Sequence, residues 1–485
     1  MKPYTLFLLS LFLACRIYAQ APIAFERYYD FGLGNAEEGT CVQQTNDGGY
    51  IITGRQTVNL QTMYILLQKT DSLGNVEWMK QIGSQYMNKA YAVRQTNDNG
   101  YILAGFTDDA SGTDFVCLVK TDSIGDTLWS RNYAPTAVYN YRQGVDVILT
   151  PDSGFLVLAA YVDQSDTMWQ SMLIKTNSIG DTLWTKKYIN QNGNTPCNVK
   201  TTNDGGYIIT SITNPSSNDN NFYLVKTDSL GDTIWTKTIL HPNGMTYGSR
   251  VTTCTQQAND NGYILAGTVS LLIDLTQADV ILIKTDQFGD TLWTKTIGGV
   301  DADGATGGVL QTTDGGYAIA AYTRSWGSGG TDVYLVKTNS VGIVQWTKTF
   351  GGSLDDDADY IIQTSDGGFA ISGMTMNWGD GGSVYFVKTD SLGNAPTGIA
   401  FINDKMDLQI YPNPSNGVFN IRGSKTNVQK IEAFNQLGEK IYESVPENFQ
   451  DIIPVDISEN PSGIYLLVIH DTNGTTLTKK IIINH

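Results

Sequence analysis

The sequence predicts an all-β protein: a seven-bladed β-propeller closed by its N-terminal strand, followed by a small β-sandwich. Three observations lead there. A heptapeptide of the form Gln-Thr-Asn-Asp-Gly-Gly-Tyr recurs seven times. A second element, Lys-Thr-Asp-Ser-Leu-Gly-Asp-Thr-Leu-Trp and its variants, follows each copy. Glycine (50) and tyrosine (26) are abundant, which suits turn-rich sheets, and no helical periodicity competes.

The first heptapeptide ends at Tyr50, and later copies end at Tyr101, Phe155, Tyr207, Tyr263, Tyr317 and Phe369, 51 to 56 residues apart. The tryptophans of the second element are Trp78, Trp129, Trp184, Trp235, Trp293 and Trp346. A period near 50 residues is the signature of a propeller or solenoid. Each unit holds four short strand-like runs, which makes one blade. In the second unit these runs are 91–95, 101–106, 115–121 and 127–133. Asn-Asp-Gly-Gly joins the first two as a hairpin, because Gly and Asn accept positive φ. The seventh unit lacks its fourth run: residues 388–393 lead straight into Asn394, Ala395 and Pro396. An orphan strand at 25–32 has the pattern of 346–351. It is therefore expected to complete the last blade, which removes an exposed edge.

Residues repeated in every unit serve the scaffold, since a single active site has no use for seven copies. The six tryptophans are expected to pack between blades. Lys69, Lys120, Lys175, Lys226, Lys284, Lys337 and Lys388 are expected to pair with turn aspartates.

Residues 1–19 read as a signal peptide. Lys2 precedes an apolar run at 6–14, and Ala19 offers a cleavage point before Gln20. A lipoprotein signal ending at Cys15 is the alternative. The run is too short to span a bilayer, and no transmembrane segment is expected elsewhere. Net charge is −17, which argues against a nucleic-acid partner. Cys41, Cys117, Cys197 and Cys254 form no CxxC pair and are expected to be buried free thiols.

Function is expected at the loops that differ between blades, those joining strands two and three and those joining blades. Trp169, Trp326 and Trp378 are assigned to the first kind. Tyr139, Tyr141 and Tyr247 are assigned to the second. Exposed aromatics suit stacking on sugars or anchoring a protein; packing within their own loops is the alternative. Asp301, Asp303, Asp355, Asp356, Asp357 and Asp359 crowd the same face. Oxygen ligands make calcium possible, but no calcium-loop spacing is complete, and a solvated acidic rim is the alternative. No other cofactor is expected. His241 is the one histidine of the repeats, and no glutamate falls between Glu77 and Glu432. A Ser-His-Asp triad or a multi-histidine zinc site is thereby disfavoured, and a paired-carboxylate hydrolase would depend on aspartates alone.

The repeat resembles bacterial propeller repeats of large surface and secreted proteins. Its Asp-x-x-Gly-x-x-x-Trp element is also similar to the turn and docking tryptophan of quinoprotein-type propellers, with the Asp-to-Gly spacing one residue shorter, and less closely to the Asp-box of sialidases. Neither likeness carries over a cofactor or a catalytic residue.

Residues 408–485 begin with Tyr411-Pro412-Asn413-Pro414 and Gly417, continue through a strand and turn at 430–438 and through Gly463 and Tyr465, and end on Lys480 and an isoleucine run. This series resembles the type A C-terminal sorting domain of the type IX (Por) secretion system of Bacteroidetes. Without that likeness the segment still reads as a compact β-sandwich. The resemblance implies the type IX machinery as a partner, and a cargo that ends on the cell surface or free outside it. The expected layout is a propeller over 20–395, a linker over 396–407 and a sorting domain over 408–485. The expected function is a secreted or surface protein binding a glycan or a protein, with a hydrolase or lyase of extracellular glycans as the alternative.

Overall fold

The computed structural model describes residues 23–31, 36–59, 62–84, 86–110, 112–133, 142–163, 166–213, 220–240, 246–247, 255–270, 278–377, 381–395, 408–411, 415–423, 428–435, 439–446, 452–471 and 476–484. The expected signal segment with Cys15 and the linker 396–407 lie outside them. All regular secondary structure among the described residues is strand.

The repeats form seven sheets that follow one another in a row. The second sheet is Asn88–Gln95, Tyr101–Asp108, Asp114–Thr121 and Thr127–Tyr133, each antiparallel to the next. The expected runs are all present and differ only at their ends. The two middle strands are buried along most of their length, because neighbouring sheets cover both faces. The fourth strand alternates between exposed and half-buried, as one covered face requires. In the fifth sheet two short pieces, Thr246–Tyr247 and Thr255–Gln257, both pair with Tyr263–Ser270.

The last sheet takes its fourth strand from the N-terminus. Phe25–Tyr29 pairs with Ser383–Lys388, with Phe25 opposite Lys388. In the sixth sheet Trp346 stands opposite Lys337, so Phe25 fills the tryptophan's place. Its ring lies 6.4 Å from Tyr50 of the first sheet. Trp78, Trp129, Trp235, Trp293 and Trp346 likewise meet the Tyr or Phe of the following sheet at 5.9 to 6.1 Å. A side chain on Gly125 or Gly180 would collide with the preceding Trp78 or Trp129, which keeps that turn position glycine.

All seven expected ion pairs form, from Lys69–Asp47 at 2.9 Å to Lys388–Asp366 at 2.8 Å. Each lysine also donates to the carbonyl of the threonine after it. In the hairpin beside it, φ is +83° at Gly48, while Asn99, Ser153 and Asn261 take the same place at +62° to +65°. Asn99 and Asn261 tolerate that conformation through their short polar side chains.

Consecutive sheets touch along their length, and the first strand of the first sheet, Glu37–Gln44, touches Asp356–Gln363 and Phe369–Thr375 of the last. Gln44 Oε1 accepts the Ser365 N–H at 2.9 Å across that junction. Gln311 Oε1 does the same for Asn259 between the fifth and sixth sheets.

The C-terminal segment forms two sheets. One is Leu408–Tyr411, Val418–Gly423 and Ile452–Asp456; the other is Lys440–Ser444, Val428–Phe434, Gly463–Asp471 and Thr476–Ile483. Phe419, Ile421 and Val455 of the first share one apolar core with Ile431, Leu467, Ile469 and Ile481 of the second.

Candidate functional site

In six of the seven repeat sheets the described first strand carries a local break in register. The partner strand is paired continuously, but one residue is skipped at Thr40, Tyr91, Val145, Cys197 and Asp359, and two at Thr306 and Gly307. A bulge of this kind frees the skipped residue from the ladder and re-aims its side chain. Here the bulged residues of five sheets converge: Thr40, Tyr91, Val145, Cys197 and Asp359 line one cavity of about 120 Å³, together with Glu38, Lys89, Asp146, Asn198 and Tyr360. This axial cavity was missed by the strand patterning above.

Its charges are organised in two knots. Glu38 holds Lys89 at 3.1 Å and Arg55 at 2.6 Å. Asp146 holds Arg94 at 2.7 Å and accepts the Val147 and Val199 N–H groups at 2.9 and 3.2 Å. Arg94 also reaches the Tyr360 hydroxyl at 3.3 Å and the Cys41 sulfur at 3.5 Å. Burial pushes the Cys41 thiol up, against the opposing pull of Arg94. Cys41 and Cys117 are buried thiols, whereas Cys197 is partly exposed with its sulfur 3.7 Å from the Thr195 carbonyl; Cys254 lies outside the described residues.

The residues expected to carry function are distributed as follows. Trp326 sits in the segment between Tyr317–Thr323 and Asp332–Thr338, 44% exposed, with its ring 5.2 Å from Tyr334. Trp169 is a correction: it belongs to the strand Asp166–Thr176, half-buried and paired with Val162, and its carbonyl accepts the Asn194 N–H at 2.7 Å. The hairpin simply extends further than the loop drawn from sequence. Tyr247 lies in a two-residue strand, and its side chain is outside the described set. Trp378, Tyr139 and Tyr141 are outside the described residues.

The aspartates do not assemble. Among the described residues, no group of three or more His, Cys, Asp or Glu is placed to hold a metal ion. Asp303 Oδ2 accepts Gly299 N–H at 2.7 Å and the Ser325 hydroxyl at 2.8 Å. Asp356 Oδ2 accepts Gly352 N–H at 2.8 Å and Asn377 at 2.6 Å. Asp355 accepts the Thr331 N–H at 2.8 Å, and that bond holds its carboxyl below the usual range. Asp301 is exposed at the rim, while Asp357 and Asp359 lie on the strand Asp356–Gln363, where Asp359 lines the bulge cavity.

A second cleft, about 460 Å³, runs between the outer edges of the last two sheets beside Glu26, Ser328, Asp332, Phe350 and Gly351. Burial raises the carboxyls of Glu26 and Asp332 in its wall, and that of Asp356 beside Gly351. Tyr385 donates to Glu26, and the Ser328 N–H donates to Asp332 at 2.8 Å.

In the C-terminal segment, Gly417 has φ +95° and a side chain there would strike Ser458, so the sorting-motif glycine is required by its turn. The Tyr465 hydroxyl donates to the Pro461 carbonyl at 2.7 Å, closing the turn before the strand that Gly463 opens. Tyr411 and Lys480 lie in strands, and Pro412, Asn413 and Pro414 are outside the described residues.

Residues 409–484 match the family described as secretion system C-terminal sorting domain. That match implies delivery by the type IX machinery to the cell surface or beyond it. No curated protein matches the chain. Among solved structures, a puromycin hydrolase is 12% identical over 81% of this chain and 60% of its own, with a TM-score of 0.50. A variant of that hydrolase complexed with PGG gives 12%, 80%, 59% and 0.52. A protein of unknown function from Dyadobacter fermentans is 13% identical over 63% of this chain and 94% of its own, with a TM-score of 0.42. The chain thus spans about 60% of the hydrolase's length. At these identities the likeness is one of fold, an array of blade-like sheets. No helix among the described residues is long and apolar enough to cross a membrane.

Proposed function

We propose that this chain is a secreted binding protein: a seven-bladed propeller, closed by its N-terminal strand, that takes an extracellular glycan or protein on its variable face. A signal peptide at 1–19 would start its export, and the C-terminal tail would finish it, in the manner of Bacteroidetes cargo. The junction between Glu37–Gln44 and the last sheet, and the pairing of Phe25–Tyr29, support closure. The observation that carries the binding role is Trp326. It is a large ring, 44% exposed, on a loop outside the repeated motifs, and such rings serve as stacking surfaces.

The hydrolase alternative draws on the carboxyls of Asp332 and Asp356, which both approach Gly351. Each of them already accepts backbone N–H groups that hold its own loop, so binding is favoured over catalysis. Glycan-array and polysaccharide pull-down measurements on the full chain test the proposal, with and without calcium. Retention that Trp326→Ala abolishes supports a site on this face, and calcium-dependent retention would add a metal. Retention unchanged by Trp326→Ala, or hydrolysis of a retained glycan, would refute it.

A further inference from the structure

We propose that the axial cavity is a binding site for a small neutral molecule ending in a primary carboxamide, held edge-on by Asp359. This site is separate from the variable face, and its test does not depend on glycan binding.

Asp359 stands out by what it lacks. Glu38 is committed to Lys89 and Arg55, and Asp146 to Arg94 and two backbone N–H groups. Asn198 exchanges bonds with Thr255, and Tyr91 donates to Gln143. Asp359 lines the same cavity, and the groups named as acting on its carboxyl, Glu38, Lys89, Asp357 and Arg55, do so through charge and not through a hydrogen bond. The other repeats place Thr40, Tyr91, Val145, Cys197, Thr253 and Gly307 ten residues before the heptapeptide's last residue, as Asp359 is before Phe369. Two residues further on, six of the seven copies are apolar (Val42, Val93, Val147, Val199, Val309 and Ile361), and the fifth has Thr255. The scaffold therefore asks for no acid at that bulge.

The chemistry of an unpaired acid decides the ligand. An ionised carboxylate in this place would lack a partner and face Glu38, a costly arrangement in a poorly solvated site. The charged and titratable groups around it are Glu38 and Arg55 from the first sheet, Lys89, Tyr91 and Arg94 from the second, Asp146 from the third, Cys197 and Lys200 from the fourth, and Asp357 and Tyr360 on its own strand. Burial first, then Glu38 and Asp357, push its carboxyl well above the usual range, against the pull of Lys89 and Arg55. A neutral carboxyl presents one O–H donor and one carbonyl acceptor on a single edge. A primary amide presents the complementary carbonyl and N–H. A cation would be placed among Lys89, Arg55 and Arg94, and an anion beside Glu38 and Asp146. The volume, about 120 Å³, is close to that of an apolar cavity of about 150 Å³ that accepts benzene. Val145 and Tyr91 contribute apolar surface to its wall.

The test is ligand-observed NMR titration of the full chain with propionamide, and with propionate and propylammonium as charged isosteres, from pH 6 to pH 9. Propionamide is expected to bind at pH 6 and to weaken as rising pH removes the Asp359 proton. Asp359→Asn keeps a donor and an acceptor, so it should bind with no pH dependence. Asp359→Leu should weaken binding at least tenfold, and Glu38→Gln should move the pH midpoint downward. Thermal melts check that each variant is folded; the Asn variant is near-isosteric and decides the matter if the Leu variant unfolds. No propionamide binding at pH 6, equal binding by a charged isostere, or an Asn variant that keeps the pH dependence would each overturn the proposal.

Discussion

At one end of every repeat sheet, a lysine from the third strand reaches an aspartate in the first hairpin, and a large ring covers the glycine of the next sheet's turn. At the opposite end and along the axis, few residues repeat. The difference is one of constraint. The lysine side chain is nearly buried, 1% to 8% exposed, and its ammonium donates to the carbonyl of a fully buried threonine, so each sheet needs its own copy. The axial bulges free their residues from pairing, and those positions vary from Thr40 to Asp359. Even at the variable end some polar residues are structural. Glu37, Asp303 and Asp356 each accept an N–H from the segment entering their strand.

Breaking the repeated end should cost the most. Phe25→Ala removes the ring that stands in for the seventh tryptophan, and about 3 kcal/mol of stability is expected to go with it; chemical denaturation measures this. An equal loss in Trp235→Ala would show that the N-terminal strand is a full member of the array. Lys284→Met should cost about 2 kcal/mol, because the Thr285 carbonyl is left buried and unpaired while the exposed Asp260 is taken up by water.

Titration sharpens the contrast. Lys175 first, then Thr150, hold the Asp152 carboxyl down to about 2. The stability it contributes is present above the ordinary carboxylate pKa and fades as pH falls toward 2. Glu37 runs the other way: burial pushes it up to about 7, despite the bonds from Gln56 and Phe31. Its folded form keeps a proton that the unfolded chain has lost, so its contribution is complete below about 4.5 and disappears as pH rises to about 7. Glu37→Gln should flatten that part of a stability-against-pH curve, and an unchanged slope would count against it. The smallest effect is expected for Trp326→Ala, within about 0.5 kcal/mol, since nearly half of the residue is exposed and it belongs to none of the hydrophobic core clusters.

The scaffold was legible because its physics repeats. Seven copies of one lysine and six of one tryptophan mark their own roles, and the orphan strand at the N-terminus matched the missing one in pattern. The tail was legible through its ordered turn residues, of which Gly417 has a steric reason to be glycine. The axial cavity was hidden because strands were read by alternation, and one extra residue at Tyr91 or Asp359 shifts every side chain before it to the other face. Comparing the seven copies column by column, ten residues before the final Tyr or Phe, would have exposed it. The individual roles of the clustered aspartates were hidden for a related reason: spacing shows how close aspartates are in the chain, but not that Asp303 and Asp356 hold backbone N–H groups.

The division between scaffold and binding surface is tested most directly by measuring thermal stability and retention on extracellular polysaccharides with the same samples of Lys284→Met and Trp326→Ala. Lys284→Met should melt lower and still be retained below its melting temperature, whereas Trp326→Ala should melt like the parent chain and lose retention. A Trp326→Ala protein that melts early, or a folded Lys284→Met protein that no longer binds, would contradict that division.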